Sequence, residues 1–114
     1  MITARAWRLA TGAYAALIFA VSVIPVNPSL APGQLDKVAH LCEYLVLAWL
    51  LAQVFRLQNH PRKLWAAWGW ATSYGAAIEG IQMFIPWRSG DISDLLANGL
   101  GAVLGIAAAR WVSF

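Results

Sequence analysis

Acidic, basic and imidazole side chains recur at helical spacing within otherwise apolar stretches of this sequence. Asp36, His40 and Glu43 are spaced i, i+4, i+7, which places them along one face of a helix. A later stretch presents Glu79 and Gln82 at i, i+3. Histidine exchanges protons near neutral pH, and a neighbouring carboxylate can orient it. These residue types in this pattern therefore indicate acid–base chemistry.

A third stretch carries two carboxylates and an amide on one helical face. Asp91, Asp94 and Asn98 follow i, i+3, i+7. Small residues let membrane helices approach closely, which would bring the polar faces into contact. The glycines expected to serve this purpose are Gly75, Gly80, Gly101 and Gly105.

Three polar groups on different stretches are predicted to lie at one depth. Glu43 lies seven residues after Asp36, Glu79 seven before Pro86, and Asn98 seven after Asp91. Each is thus roughly 10 Å below the outer surface at a rise of about 1.5 Å per residue. This coincidence predicts one shared site that opens to the outer face of a membrane. Lys37 and Arg88 would stand at its mouth.

The elements that position these residues are predicted to be transmembrane helices. Of 114 residues, 61% are hydrophobic and 11% charged, against roughly 45–50% and about 25% in soluble domains. Four stretches approach the roughly 20 residues that a spanning helix needs, at 7–24, 38–55, 64–85 and 92–112. Turn-forming residues separate them, so consecutive helices should pack antiparallel. The expected fold is an all-α bundle of four transmembrane helices, forming one domain over residues 1–114.

The distribution of charge predicts the orientation in the membrane. Basic loops stay on the cytoplasmic side, and one side of the predicted bundle holds Arg5, Arg8, Arg56, Arg62, Lys63 and Arg110. All five acids belong to the other half. Both termini are therefore predicted to be cytoplasmic. The competing interpretation of the first stretch is a cleaved signal peptide.

Two segments of the chain resemble the VanZ-like family of bacterial integral membrane proteins. They read DKVAHLCEY over residues 36–44 and EGIQMFIPWRSGDISDLLANGLGAVLG over residues 79–105. The resemblance implies a multi-pass protein of the bacterial cytoplasmic membrane and, through the founding member, a link to low-level resistance to the glycopeptide teicoplanin. It implies no defined reaction. The family motif falls on Asp36, Lys37, His40, Tyr44, Glu79, Gln82, Arg88, Asp91, Asp94, Asn98 and Gly101, while Glu43 is added from helical spacing and the first span lies outside the resemblance.

Residue chemistry and resemblance together assign two sets of roles. The residues expected to act as acids and bases are His40, Glu79, Asp36 and Asp94. Those expected to bind substrate are Lys37, Arg88, Glu43, Tyr44, Gln82, Asp91 and Asn98. Lys37 and Arg88 suit a phosphate or carboxylate. No cofactor motif is evident, although the surplus of carboxylates also suits Mg²⁺ or Ca²⁺.

Several classes of function remain open at this point. An enzyme would carry out hydrolysis or group transfer on a lipid-linked or phosphorylated envelope component. A receptor would bind membrane lipids, lipid-linked precursors or a cation, and a structural protein would use the polar groups to satisfy one another. Transport would require oligomerisation. Nucleic acid is not an expected partner, because the basic residues are scattered and form no continuous face.

Overall fold

Four α-helices make up the described part of the chain. The computed structural model describes residues 2–24, 34–59, 61–86 and 92–111, with the backbone alone for 34–36. The helices are α1 (Ala4–Val23), α2 (Gln34–Leu57), α3 (Lys63–Gln82) and α4 (Ile92–Trp111). They contain 24 residues in α2 and 20 in each of the others, close to the roughly 20 that cross a hydrocarbon core.

Local sequence explains where α1 and α2 begin or end. The Thr3 hydroxyl accepts a hydrogen bond from the Ala6 N–H at 3.1 Å and caps the start of α1. Ile24 is extended, with ψ 149, because Pro25 follows it and disfavours the helical conformation. Asn59, just beyond α2, has φ 54, a left-handed conformation that asparagine tolerates at helix ends.

The third helix ends earlier than predicted. α3 stops at Gln82, three residues before the predicted boundary at Ile85. The chain then tightens, with the Phe84 N–H bonding the Ile81 carbonyl at 3.0 Å and the Ile85 N–H bonding the Gln82 carbonyl at 3.1 Å. Pro86 prevents the helix from continuing, because it has no N–H to donate to the Gln82 carbonyl and the residue before a proline avoids the helical region.

Consecutive helices run antiparallel, as the contacts between them demonstrate. Along α1 and α2, Trp7 packs edge-on against Trp49 with ring centroids 5.5 Å apart, whereas the Tyr14 hydroxyl bonds the Glu43 carbonyl at 3.1 Å. Contacts between α2 and α4 advance in the same direction, so these two helices are parallel. This pair forms the most extensive interface among the described helices.

Glycine permits the close contact between α2 and α4. A Cβ on Gly101 would overlap the Leu41 carbonyl, and one on Gly105 would overlap the Leu45 carbonyl. Gly75 of α3 also lies against neighbouring side chains. The prediction was wrong for Gly80, where an added Cβ would meet no described atom within 4 Å, because this residue faces away from the other helices.

Three of the described helices are long and apolar enough to cross a membrane: α1, α4 and the Lys37–Leu57 part of α2. α3 is not in this group. Its 20 residues include Lys63, Glu79 and Gln82 together with three Trp, three Gly and one Ser, which lower its apolar character. The bundle measures 42 × 22 × 22 Å, and its length matches the roughly 40–45 Å of a bilayer with its headgroups.

Candidate functional site

Ionisable side chains of α2 and α4 meet where both helices begin. The Lys37 ammonium forms an ion pair with Asp94 Oδ1. The other carboxylate oxygen of Asp94 lies 3.5 Å from His40 Nε2, and Glu43 Oε2 lies 3.7 Å from His40 Nδ1. We call Lys37, His40, Glu43 and Asp94 the polar cluster.

The helices position the polar cluster through spacing and close approach. Lys37, His40 and Glu43 are three residues apart in turn, so they share one face of α2. Asp94 lies in the first turn of α4, where the helix dipole favours a negative charge. Gly101 allows α4 to lie against the α2 backbone, and this proximity lets the short Asp94 side chain reach two residues of α2.

The site is open at Lys37 and closed around Asn98. The exposed fraction of the side chain is 34% at Lys37, 28% at Glu43, 16% at His40 and 8% at Asp94. Asn98, one turn further along α4, is 2% exposed.

Three helices meet at the closed end of the site. A Cβ on Gly75 of α3 would lie 3.0 Å from Asn98 Nδ2 and 3.0 Å from Tyr44 Cε1, so this glycine makes room for both side chains. Among the described residues, nothing donates a hydrogen bond to the buried Asn98 Oδ1. An unsatisfied buried acceptor costs about 1–3 kcal/mol, and this oxygen is thus a ready partner for a donor on a ligand.

The polar residues of α3 take two different positions. Glu79 is buried, but it follows Gly75 by one turn and lies three residues from the end of α3. It is therefore shallower than Asn98, because Asn98 lies opposite Gly75. Gln82 Nε2 donates to the Ser22 carbonyl of α1 at 2.9 Å, so this amide joins α1 to α3.

Sequence reasoning missed the contribution of α1. The Tyr14 hydroxyl bonds the backbone of Glu43, the Tyr74 hydroxyl of α3 bonds the Ala15 carbonyl, and Ser22 accepts from Gln82. A signal was available, because a tyrosine hydroxyl within an apolar helix needs a hydrogen-bond partner. Through these bonds α1 braces the helices that carry the site.

Some predicted site residues lie outside the described part of the chain. These are Arg88, Asp91 and the side chain of Asp36. Within the described ranges, the His, Cys, Asp and Glu side chains form no group of three that could hold a metal ion. The predicted sites for Mg²⁺ or Ca²⁺ and for the anion at Arg88 stay predictions.

The helices and the polar cluster define a class of protein: a small bundle with membrane-spanning helices and a polar site at one end. The chain belongs to the VanZ/LLP1 family, whose model matches residues 4–113. This confirms the family indicated by the two motif segments and extends the match over α1. No curated protein and no solved structure matches the chain. Family membership and three helices able to span identify it as a membrane protein.

Proposed function

We propose that the polar cluster binds a phosphorylated or lipid-linked component of the bacterial cell envelope and exchanges protons with it through His40. The observation that carries this proposal is the His40 imidazole between two carboxylates, 3.5 Å from Asp94 and 3.7 Å from Glu43. These distances exceed a hydrogen bond, as is common before a substrate tightens a catalytic site. Either carboxylate can orient the ring and stabilise its protonated form.

Each remaining residue has a role that follows from its position. Lys37, at the open end, attracts the phosphate or carboxylate of the ligand. Asp94 contacts both Lys37 and His40. A ligand anion that forms an ion pair with Lys37 would therefore free Asp94 Oδ1 to interact with the imidazole. The Asn98 carbonyl oxygen accepts a hydrogen bond from a hydroxyl or amide of the ligand.

The ion pair between Lys37 and Asp94 favours a second candidate function. In this alternative the cluster only holds α2 and α4 together and has no ligand. Lys37 is 34% exposed and Asp94 8%, and replacing both members of such a partly buried pair with apolar residues leaves neither charge unpaired. The double variant Lys37→Met/Asp94→Leu should therefore keep the fold while removing both charges, which separates the two candidates.

The test compares this double variant with a matched change on the same helix. Cys42 is exposed on α2, so Cys42→Ser alters a side chain that faces away from the cluster. Native mass spectrometry of gently extracted wild type and Cys42→Ser should detect a co-purified envelope lipid or precursor that the double variant lacks. Equal ligand content in all three proteins would leave only the structural candidate.

If His40 exchanges protons with the ligand, its removal should affect turnover but not binding. His40→Ala should retain the bound component, because Lys37 and Asn98 remain, while any phenotype of the wild type is lost. Teicoplanin susceptibility of cells that express each variant is the phenotype that the family suggests. If the wild-type protein changes teicoplanin susceptibility and His40→Ala changes it equally, His40 has no catalytic role.

The same proposal includes four spans with both termini in the cytoplasm. α3 supports a fourth span because it matches α1 and α4 in length and packs against both α2 and α4. Arg56, Lys63 and Arg110 lie together at the end opposite the polar cluster, which is the arrangement expected for a cytoplasmic face. Tags at either terminus should be protected in intact cells. A tag that reacts from outside contradicts this orientation.

A further inference from the structure

Three cations from three helices line a cleft at the end of the bundle opposite the polar cluster. Arg56 lies in the last turn of α2, Lys63 is the first residue of α3, and Arg110 lies in the last turn of α4. The cleft has a volume of about 320 Å³ and is completed by Ala52, Leu64 and Ala109. Ligand pockets typically span about 300–1,000 Å³, so this cleft has room for a small headgroup.

A buried amide fixes one of the three cations. Gln53 is 0% exposed, and its Oε1 accepts a hydrogen bond from Arg56 Nε at 3.1 Å. A buried polar side chain in a membrane bundle is costly unless it is satisfied. The bond therefore gives the buried Gln53 amide oxygen a donor, and it holds the Arg56 guanidinium group at the wall of the cleft.

The charges that line the cleft are all positive. Every acidic side chain of the chain lies between positions 36 and 43 or between 79 and 94, and those described belong to the opposite half of the bundle. The remaining lining residues are Ala or Leu. A cationic rim above an apolar floor matches a molecule with an anionic head and a hydrocarbon tail.

The helix dipole does not account for this arrangement. Arg56 and Arg110 complement the negative ends of α2 and α4. Lys63 lies at the N-terminus of α3, where the dipole disfavours a cation. Its position beside the two arginines is the one expected at a cytoplasmic surface, and it adds a third positive charge that an anion in the cleft would neutralise.

We propose that this cleft binds the phosphate of an anionic phospholipid headgroup. Arg56 supplies a planar donor group for the phosphate oxygens, and Lys63 and Arg110 supply charge from the other two sides. The apolar floor contacts the start of the acyl chains. The site lies where α2 and α4 end and α3 begins, at the level where lipid headgroups are found. It is independent of the polar cluster and of the function proposed for that cluster.

The test removes two cations from the cleft and compares this with removal of two cations elsewhere. Arg56→Gln/Arg110→Gln changes the cleft, whereas Arg5→Gln/Arg8→Gln changes exposed residues near the start of α1. Both variants lose the same net charge. The full-length proteins are examined by native mass spectrometry and thermal unfolding in detergent micelles doped with phosphatidylglycerol, with phosphatidylcholine at equal mole fraction, or with inorganic phosphate alone.

Wild type and Arg5→Gln/Arg8→Gln should retain phosphatidylglycerol and gain thermal stability from it. Arg56→Gln/Arg110→Gln should bind it roughly 10–30-fold more weakly, since each basic residue near an anionic lipid contributes about fivefold. Phosphatidylcholine should not distinguish the variants. Equal loss of phosphatidylglycerol in both double variants overturns the proposal, and occupancy by inorganic phosphate without lipid overturns the lipid as the source of the anion.

A single substitution at an exposed position tests the same cleft with less risk of unfolding the protein. Lys63→Gln changes an exposed side chain at the rim and should weaken phosphatidylglycerol binding by about fivefold. Unchanged binding in Lys63→Gln, with a folded protein, contradicts the proposal. Lys37→Met/Asp94→Leu should retain phosphatidylglycerol, and this result separates the cleft from the polar cluster.

Discussion

Replacing Gly101 with alanine tests whether contact between α2 and α4 holds the site together. The added Cβ would stand 2.9 Å from the Leu41 carbonyl carbon and 3.0 Å from its Cα, whereas carbon atoms normally approach to about 3.5–4.0 Å. The two helices would have to separate by roughly 1 Å, because a backbone atom cannot move aside alone. Overpacking of this kind costs about 1–3 kcal/mol.

Gly99→Ala is the matched control, because the same change on the same helix meets no described atom within 4 Å. Alanine is favoured over glycine in a helix interior by roughly 0.5–1 kcal/mol, so Gly99→Ala should be at least as stable as wild type. Reversible unfolding in mixed detergent micelles measures both. Gly101→Ala should be the less stable variant and should lose ligand at the polar cluster. Equal stability of the two alanine variants would refute the importance of the close contact.

Further predictions concern the polar bonds between helices. Asn98→Leu removes a buried acceptor that lacks a donor among the described residues, so thermal stability should hold or rise while any co-purified ligand seen by native mass spectrometry is lost; a fall in stability without loss of ligand contradicts this role. Tyr74→Phe deletes the bond to the Ala15 carbonyl and should lower the unfolding free energy by about 0.6 kcal/mol, the average for such bonds in membranes. Gln82→Leu removes the bond to Ser22 and should have a similar effect on unfolding without loss of ligand. Ligand loss in this variant would instead make Gln82 a binding residue.

Part of the candidate site could be predicted from spacing alone. The period of a helix determines which residues share one face, so His40 and Glu43 were expected to be neighbours. His40 Nδ1 and Glu43 Oε2 are 3.7 Å apart. Which residue of another helix joins them depends on how the helices are rotated. Only the packed bundle therefore shows which residues pair with Asp94. It also shows that Gly75 lies against Tyr44 and Asn98.

The depth of Glu79 is a second property that could not be predicted from the sequence. Its distance from a proline was known from the sequence, but the point where α3 ends was not, because the helix stops at Gln82 and the chain tightens before Pro86. The same holds for glycines, since Gly80 and Gly101 look alike in sequence, yet only Gly101 lies against another backbone. Contact between helices is a property of the pair, not of either residue.

The sequence by itself determined the all-α class, the family and the set of polar residues from which the site is built, because hydrophobic periodicity and motif spacing are local properties of the chain. Tertiary structure decided which of these residues touch. It paired Lys37 and His40 with Asp94, and it gathered Arg56, Lys63 and Arg110 into one cleft. Such groupings depend on the direction and rotation of the packed helices, and small residues such as Gly101 set how closely the backbones meet.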